Sequence, residues 1–578
     1  MNISRREFLQ LLATAYAAGF WRPGLAGTTA GAVSSAAKDL YEIPSFGNVS
    51  LLHFTDCHAQ LLPLYYREPD VHIGVGAMAG EVPHVVGKYF LKKFNIPANS
   101  PEAYALAYMD FPELAAKYGA MGGFAHLATL IKRLRASRPG SLLLDGGDSW
   151  QGSATALWTN AQDMVDACLL LGVDVMTGHW EFTYGMERVK EVIEKDFAGK
   201  IEFVAQNIVD YEFEDAVFKP YVIKEVNGVR VAVIGQAFPY TPIANPRYLI
   251  KDWQFGINEE RCQTMVDKAR DEGAQVVVLL SHNGMDIDLK MASRVTGLDA
   301  ILGGHTHDAV PIAESVKNRG GATLVINSGS NGKFLSVLDF EYRNGKVRDY
   351  QFRLVPVFAN LIEADPAMAA HIKSVRAPFE AKLSQKLAVA DGLLYRRGTF
   401  NGTFDQIIVD ALMAQQDAEI AFSPGFRWGT NILPGEAITM DDVMSLTSTT
   451  YPEVTSGPMT GAALKEILED IADNRFNDDP YMQQGGDMVR IGGLQYAIDP
   501  SVPKGNRIQD MELKGKRIEA NKSYKVARWA SMEKTDGPPI WDVVSAHLQH
   551  LKHIKVEKLN APKIINIKGN PGIAEELT

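Results

Sequence analysis

Three cysteines in 578 residues, Cys57, Cys168 and Cys262, are too few and too far apart to staple the chain. They exclude a disulfide framework, and a core of this size does not need one. Basic charge is also in short supply: 58 Lys and Arg against 69 Asp and Glu leave a formal net charge of -11. Nucleic-acid binding draws its affinity from cations set against phosphates, so no nucleic-acid partner is expected. No apolar run reaches the ~20 residues that a membrane span requires, so no membrane domain is expected either. The glycine-rich phosphate loop, the dinucleotide fingerprint, the serine nucleophile elbow and paired zinc cysteines are missing as well. What remains is an ordinary globular composition, 46% hydrophobic and 22% charged, on a chain long enough for two domains.

The first residues have the organisation of a secretory leader. Ser4-Arg5-Arg6-Glu7-Phe8-Leu9 precedes a small, apolar run at 11–20 and an Ala/Gly/Ser/Thr-rich tract to Ala37. The arginine pair resembles the twin-arginine class, which exports folded proteins, with cleavage expected between Ala26 and Ala37. Residues 1–37 are therefore expected to be a leader read by the twin-arginine export machinery, and the mature protein to be soluble and periplasmic.

Beyond it, strand-like apolar runs repeatedly stop at polar residues. Runs near 49–55, 141–144, 173–177, 275–280 and 300–302 lead into Asp56-Cys57-His58, Asp145-Gly146-Gly147-Asp148, Gly178-His179-Trp180-Glu181, Ser281-His282-Asn283 and Gly303-Gly304-His305-Thr306-His307. Helical patterns near 124–136 and 258–272 alternate with them, and Asn227-Gly228 sits in a hairpin of 221–226 and 229–235. This is the layout of an α/β fold, in which ligands bind beyond the carboxyl ends of strands. Asp56 and His58, two residues apart, can face one centre while Cys57 faces the core. Residues 61–118 are expected to be an insertion with some helix walling the site; His72 could serve there as a substrate contact, but a surface position is the expectation. The expected divisions are a catalytic domain at 45–357, a linker with an interdomain helix at 358–391, a second α/β domain at 392–565, and a tail at 566–578 that frays.

The candidate metal ligands are Asp56, His58, Asp148, His179, His282, His305 and His307. If Asp148 is shared, one ion has Asp56, His58, Asp148 and His307, and the other has Asp148, His179, His282 and His305. Nitrogen and oxygen donors without thiolate suit manganese, zinc or iron. Any one of these side chains could be an ordinary satisfied polar group, but their repetition at five strand ends argues for a pair of ions and hydrolytic chemistry.

The order Asp-x-His, Gly-Gly-Asp, Gly-His-Thr-His resembles the calcineurin-like metallophosphoesterases, specifically the two-domain periplasmic 5'-nucleotidase group, over nearly the whole mature chain. The resemblance implies a four-layer αββα catalytic domain and a second α/β domain that carries substrate contacts. In that group the third motif is Gly-Asn-His-Glu/Asp, its asparagine a ligand and its histidine paired with an aspartate to assist the leaving group. Here His179 takes the ligand's place, Trp180 the histidine's, and Thr183 stands where the aspartate is expected. General acid help is worth ~10²- to 10⁴-fold for a poor leaving group, but a thiolate or persulfide departs without it. Asp-Cys-His, Gly-Gly-Asp-Ser-Trp-Gln-Gly, Gly-His-Trp-Glu and Gly-Gly-His-Thr-His are similar to a sulfur-oxidising branch of the family. That likeness implies two manganese ions, with zinc or iron as alternatives, and release of sulfate from a cysteine S-thiosulfonate on the C-terminal tail of the SoxYZ carrier protein.

Within that reading Asp148, Trp180 and Arg427 are the catalytic candidates. Arg427 lies in Ser423-Pro424-Gly425-Phe426-Arg427-Trp428-Gly429, which corresponds to a substrate loop of the family, and a guanidinium fork suits a sulfonate. Its alternative role is an interdomain ion pair. Glu181 and Asn283 are expected to hold His179 or His282 and set their tautomers. Phe426, Trp428, Tyr451 and Tyr481 could clamp a base, but Gly485-Gly486-Asp487-Met488-Val489-Arg490 has no aromatic, which favours a cleft for an extended tail. Two other readings stand beside this one: a 5'-nucleotidase or cyclic phosphodiesterase, and a metal-dependent protein that binds the oxidised carrier without turnover.

Overall fold

Val276–Ser281 reads Val-Val-Val-Leu-Leu-Ser, and a strand apolar at nearly every position has to be covered on both faces. In the computed structural model, which describes residues 40–577, it lies inside a sandwich of two six-stranded sheets. The expected leader at 1–37 lies outside the described residues. One sheet has the order Lys346–Pro356, Phe334–Arg343, Val49–Phe54, Leu142–Asp145, Val175–Met176, Glu202–Phe203. The other runs Glu314–Asn318, Gly321–Asn327, Ala300–Gly303, Val276–Ser281, Val229–Gln236, Tyr221–Val226.

Leu51, Leu144 and Val175 from the first sheet meet Val231, Val278, Leu302 and Ile326 from the second in one buried cluster. Helices Phe124–Ser137 and Gln162–Leu171 cover the outside of the first sheet, and Glu259–Asp271 and Met285–Arg294 the outside of the second. The spacing of Phe124, Leu127, Leu130, Ile131 and Leu134 puts one apolar stripe of the first helix on the sheet and leaves Lys132 and Arg133 outside. This is the four-layer αββα arrangement. The central strands of both sheets are parallel, so their carboxyl ends open on one side.

The second unit packs helices Thr403–Gln416, Met440–Thr447 and Ile540–Leu551 in one apolar cluster and Gly461–Phe476 in another. The single helix expected in the linker is two, Pro366–Arg376 and Glu380–Leu383, because Pro378 falls between them and cannot donate to a helical ladder. The insertion at 61–118 contains helices Gly87–Lys93, Pro101–Leu106 and Phe111–Tyr118 with an apolar cluster of their own. Buried Lys333 fastens it, donating to the Tyr66 and Ala105 carbonyls and to Glu68. His72, expected on the surface, is only 12% exposed at its side chain and faces Asp308 at 3.4 Å.

The tail does not fray as expected. Ile573 pairs with Val71 of the insertion, the Ala574 amide donates to the Asp70 carbonyl, and both tail side chains are buried. Ile573 joins Val71 and Ile73 in an apolar cluster, and burying such a side chain stabilises by about 1.5–3 kcal/mol. Among the described residues no helix is long and apolar enough to cross a membrane.

Candidate metal centre

All seven candidate ligands meet at the carboxyl ends of the parallel strands. They form the two groups Asp56, His58, Asp148, His307 and Asp148, His179, His282, His305, with donor atoms within 4.8 Å of one another in each and Asp148 common to both. Asp148 Oδ2 is 3.1 Å from His179 Nδ1, 3.0 Å from His282 Nε2 and 3.7 Å from His58 Nε2. Asp56 Oδ1 stands 3.3 Å from His307 Nε2, and the Nε2 atoms of His58 and His307 are 3.1 Å apart.

The backbone bends sharply to achieve this. Asp56, His58, Asp148, His305 and His307 all have positive φ, between 45° and 72°. A non-glycine residue held there costs roughly 1–3 kcal/mol, and such residues persist where surrounding structure over-determines them, commonly at functional sites. Asp and His bear it better than branched residues, which helps to explain why the strand ends are built from them.

Glu181 organises two of the loops: its carboxylate accepts from the amides of Asp148, Ser149, Trp150 and His179. Asn283 does not do what was expected of it. Its side chain turns away from the histidines to Gln236 and Asp288, and the Gly146 carbonyl, 2.6 Å from Nδ1, holds His282 instead. The Gln151 carbonyl faces His58 Nδ1 at 3.3 Å. Phe238, at a sixth strand end just beyond Val229–Gln236, lies 4.0 Å from the rings of both His179 and His305. It was not singled out from sequence, although its place after a buried strand is a signal of the same kind.

The second unit closes over this centre. Trp428 stacks on His58 at 4.8 Å, and Arg427 donates from Nη2 to the His305 carbonyl at 2.7 Å. Trp180 is buried among Phe426, Trp428 and Tyr451, with its amide donating to Asp148 Oδ1 at 2.8 Å. Tyr481 stays apart from that aromatic group, with the Lys290 ammonium 4.0 Å from its ring centre. Thr183 spends its hydroxyl on the Trp180 carbonyl. A chamber of about 580 Å³ leads from His58, Asp148, His179 and Trp180 past Arg427 and Trp529 to Met532.

Burial pushes the rings of His305 and His307 well below the ordinary imidazole range and His58 down to about 4, so these nitrogens are neutral with lone pairs available. Burial pushes Asp56 up to about 7, a carboxyl that needs a neighbouring cation to stay ionised. Asp148 is held well below the usual carboxylate range, because its histidines outweigh its burial. Among the candidate ligands, two ring nitrogens, His179 Nε2 and His307 Nδ1, are buried with no hydrogen-bond partner. His282 goes the other way, the carboxylates of Asp148 and Asp56 outweighing its burial and raising it to about 10, so a cation would have to displace that proton. Neutral imidazoles of His58, His305 and His307 around carboxylate oxygen, with no thiolate, fit a pair of borderline-to-hard divalent cations.

Cys57 and Cys168 are fully buried, and burial pushes both thiols up, which leaves them inert as nucleophiles. Asp145 is taken up structurally by the Gly147 amide and the Ser149 hydroxyl.

Residues 387–539 match the family described as 5'-nucleotidase, C-terminal domain. Among solved structures the chain is similar to sulfate thiohydrolase SoxB of Thermus thermophilus, in complex with glycerol: TM-score 0.86 and 36% identity over 91% of this chain and 98% of that one. A 5'-nucleotidase precursor, also from Thermus thermophilus, shares the fold, with TM-score 0.71 and 21% identity over 90% of this chain and 99% of that one. Among curated proteins, UshA of Yersinia enterocolitica is 24% identical over 458 residues, 70% of this chain and 80% of its own length.

Proposed function

The chain belongs to the 5'-nucleotidase family of calcineurin-like metallophosphoesterases, which are metal-dependent hydrolases, and from that membership we propose that it releases sulfate from a cysteine S-thiosulfonate borne by a carrier protein of the SoxYZ kind. The observation that carries this reading is Trp180. Beside Asp148 and His179, where the family places a protonatable histidine, stands an indole packed in an aromatic wall with Phe426, Trp428 and Tyr451. An alkoxide would leave poorly from such a place; a sulfur anion needs no proton there.

Water adds to the terminal sulfonate sulfur, the bond to the neighbouring sulfur breaks, and the carrier keeps that electron pair as a persulfide while sulfate leaves. Asp56, His58, Asp148 and His307 would hold one ion, and Asp148, His179, His282 and His305 the other. When bound, the pair lowers the pKa of water and neutralises the sulfonate oxygens; manganese is the proposed metal, with zinc or iron as alternatives. Arg427 lines the chamber beside the ligand cluster and offers a further cation for those oxygens. Trp180 keeps water away from the departing sulfur, and the apolar walls at Met459, Ile467 and Ile471 accept an extended chain rather than a charged nucleotide. The periplasm, reached through the twin-arginine route, is the proposed location.

The 5'-nucleotidase C-terminal match favours nucleotide phosphoesters as the second reading. Sulfate release from an S-thiosulfonate carrier and phosphate release from AMP, measured on the same metal-loaded preparation, separate the two. Faster sulfate release is expected; faster phosphate release, or stoichiometric capture of the carrier with no sulfate, overturns the proposal. The paired variant Trp180→His with Thr183→Asp is expected to gain phosphomonoesterase activity, and no gain would sink the leaving-group argument.

A further inference from the structure

The ring of His305 donates a hydrogen bond across the domain boundary. Its Nε2 lies 2.9 Å from the carbonyl of Gln484, in the loop that precedes strand Arg490–Gly492. A carbonyl only accepts, so Nε2 must carry the proton and Nδ1 is left with the lone pair. The same histidine segment is gripped twice more by the second unit. Arg427 Nη2 donates to the His305 carbonyl at 2.7 Å, and Arg397 Nη2 to the Thr306 carbonyl at 3.3 Å.

The neighbouring glycine is part of the grip. Gly485 has φ +68°, and a Cβ there would stand 2.7 Å from His305 Nε2 and 2.9 Å from its Cδ2. The loop backbone therefore lies directly against the imidazole, with Phe238 stacked 4.0 Å away at an interplanar angle of 29°. The ring has little room to turn.

We propose that the segment Gln484-Gly485 of the second domain is a positioning element for the metal centre, fixing the Nε2–H tautomer and the orientation of His305 so that Nδ1 serves the site shared with Asp148, His179 and His282. The inference rests on the reading of His305 as a ligand. Its consequence is that one of the two sites reaches full affinity only when the domains are docked.

Gly485→Ala and Gly486→Ala form a matched pair. Gly486 has φ +81°, so both substitutions place an alanine in left-handed backbone, yet a Cβ at Gly486 meets nothing within 4 Å. On the full chain, metal content and stepwise manganese affinity are measured by elemental analysis and titration calorimetry, with melting of the metal-free form as the folding control. The wild type and Gly486→Ala are expected to take two ions, and Gly485→Ala to bind one unchanged and the other about 10- to 100-fold more weakly, the usual scale for loss of a group that orients a ligand. Two ions bound by Gly485→Ala with unchanged affinity overturn the proposal. Fewer than two in the wild type overturn the ligand reading instead. Should Gly485→Ala fail to fold, ring ¹⁵N shifts of His305 in the metal-free wild type decide: a proton on Nε2 supports the proposal and a proton on Nδ1 overturns it.

Discussion

Glu181 is bonded to four backbone amides, those of Asp148, Ser149, Trp150 and His179, all of them in buried residues. Its removal leaves buried donors unpaired at about 1–3 kcal/mol each. Glu181→Ala is expected to cost at least about 3 kcal/mol in urea unfolding and to reduce metal retention, and a loss below about 1 kcal/mol would show that the loops hold themselves. The seven candidate ligands were legible because chemistry and position coincide in them: a short polar motif after an apolar run names both the donor and its strand end. What orients them was far less legible. The Gly146, Gln151 and Gln484 carbonyls that face His282, His58 and His305 belong to the backbone, so residue type does not disclose them. Asn283 misled for the opposite reason, since an amide next to a histidine in sequence is free to point elsewhere.

Elements were read well where burial dictates pattern, and less well where a single residue intervenes. The helix near 124–136, the hairpin around Asn227-Gly228 and the strands at 276–281 and 300–303 follow their apolar spacing, whereas Pro378 splits the linker helix. The loop leading into Arg490–Gly492 shows how an element can be anchored by charge instead. Asp487 bonds Arg490 Nη2 at 2.8 Å; burial alone would raise its carboxyl, but Arg490, Arg427 and Arg397 hold it below the ordinary value. A carboxyl depressed by folding contributes stability that is complete above its unfolded pKa of about 3.9 and is lost as pH falls through the lower folded value. The gap in urea midpoint between the wild type and Asp487→Asn is therefore expected to stay level from about pH 8 to pH 5 and to close below about pH 4. A gap that closes near neutral pH would assign the anchoring to another group.

At the scale of the whole molecule, the C-terminal segment is the least expected feature, because Pro571-Gly572-Ile573-Ala574 gives no periodic signal and the place of its isoleucine is explained by pairing with Val71 and burial beside Ile73. Ending the chain after Asn570 is expected to speed hydrogen exchange at the His72 and Val86 amides, which donate to the Gly572 and Pro571 carbonyls, by about 10- to 100-fold, the equivalent of one buried aliphatic side chain. Unchanged exchange would mean that the insertion stands without the tail. That segment joins the two domains a second time: the chain crosses once through the linker helices and returns through Ile573 onto the insertion. A body tied at two separate places has no single hinge about which to swing open. On the function proposed above, the chamber would then have to be entered without the domains parting, which would favour a sulfur group on a slack, free end of a visiting chain over the same group fixed on a rigid surface.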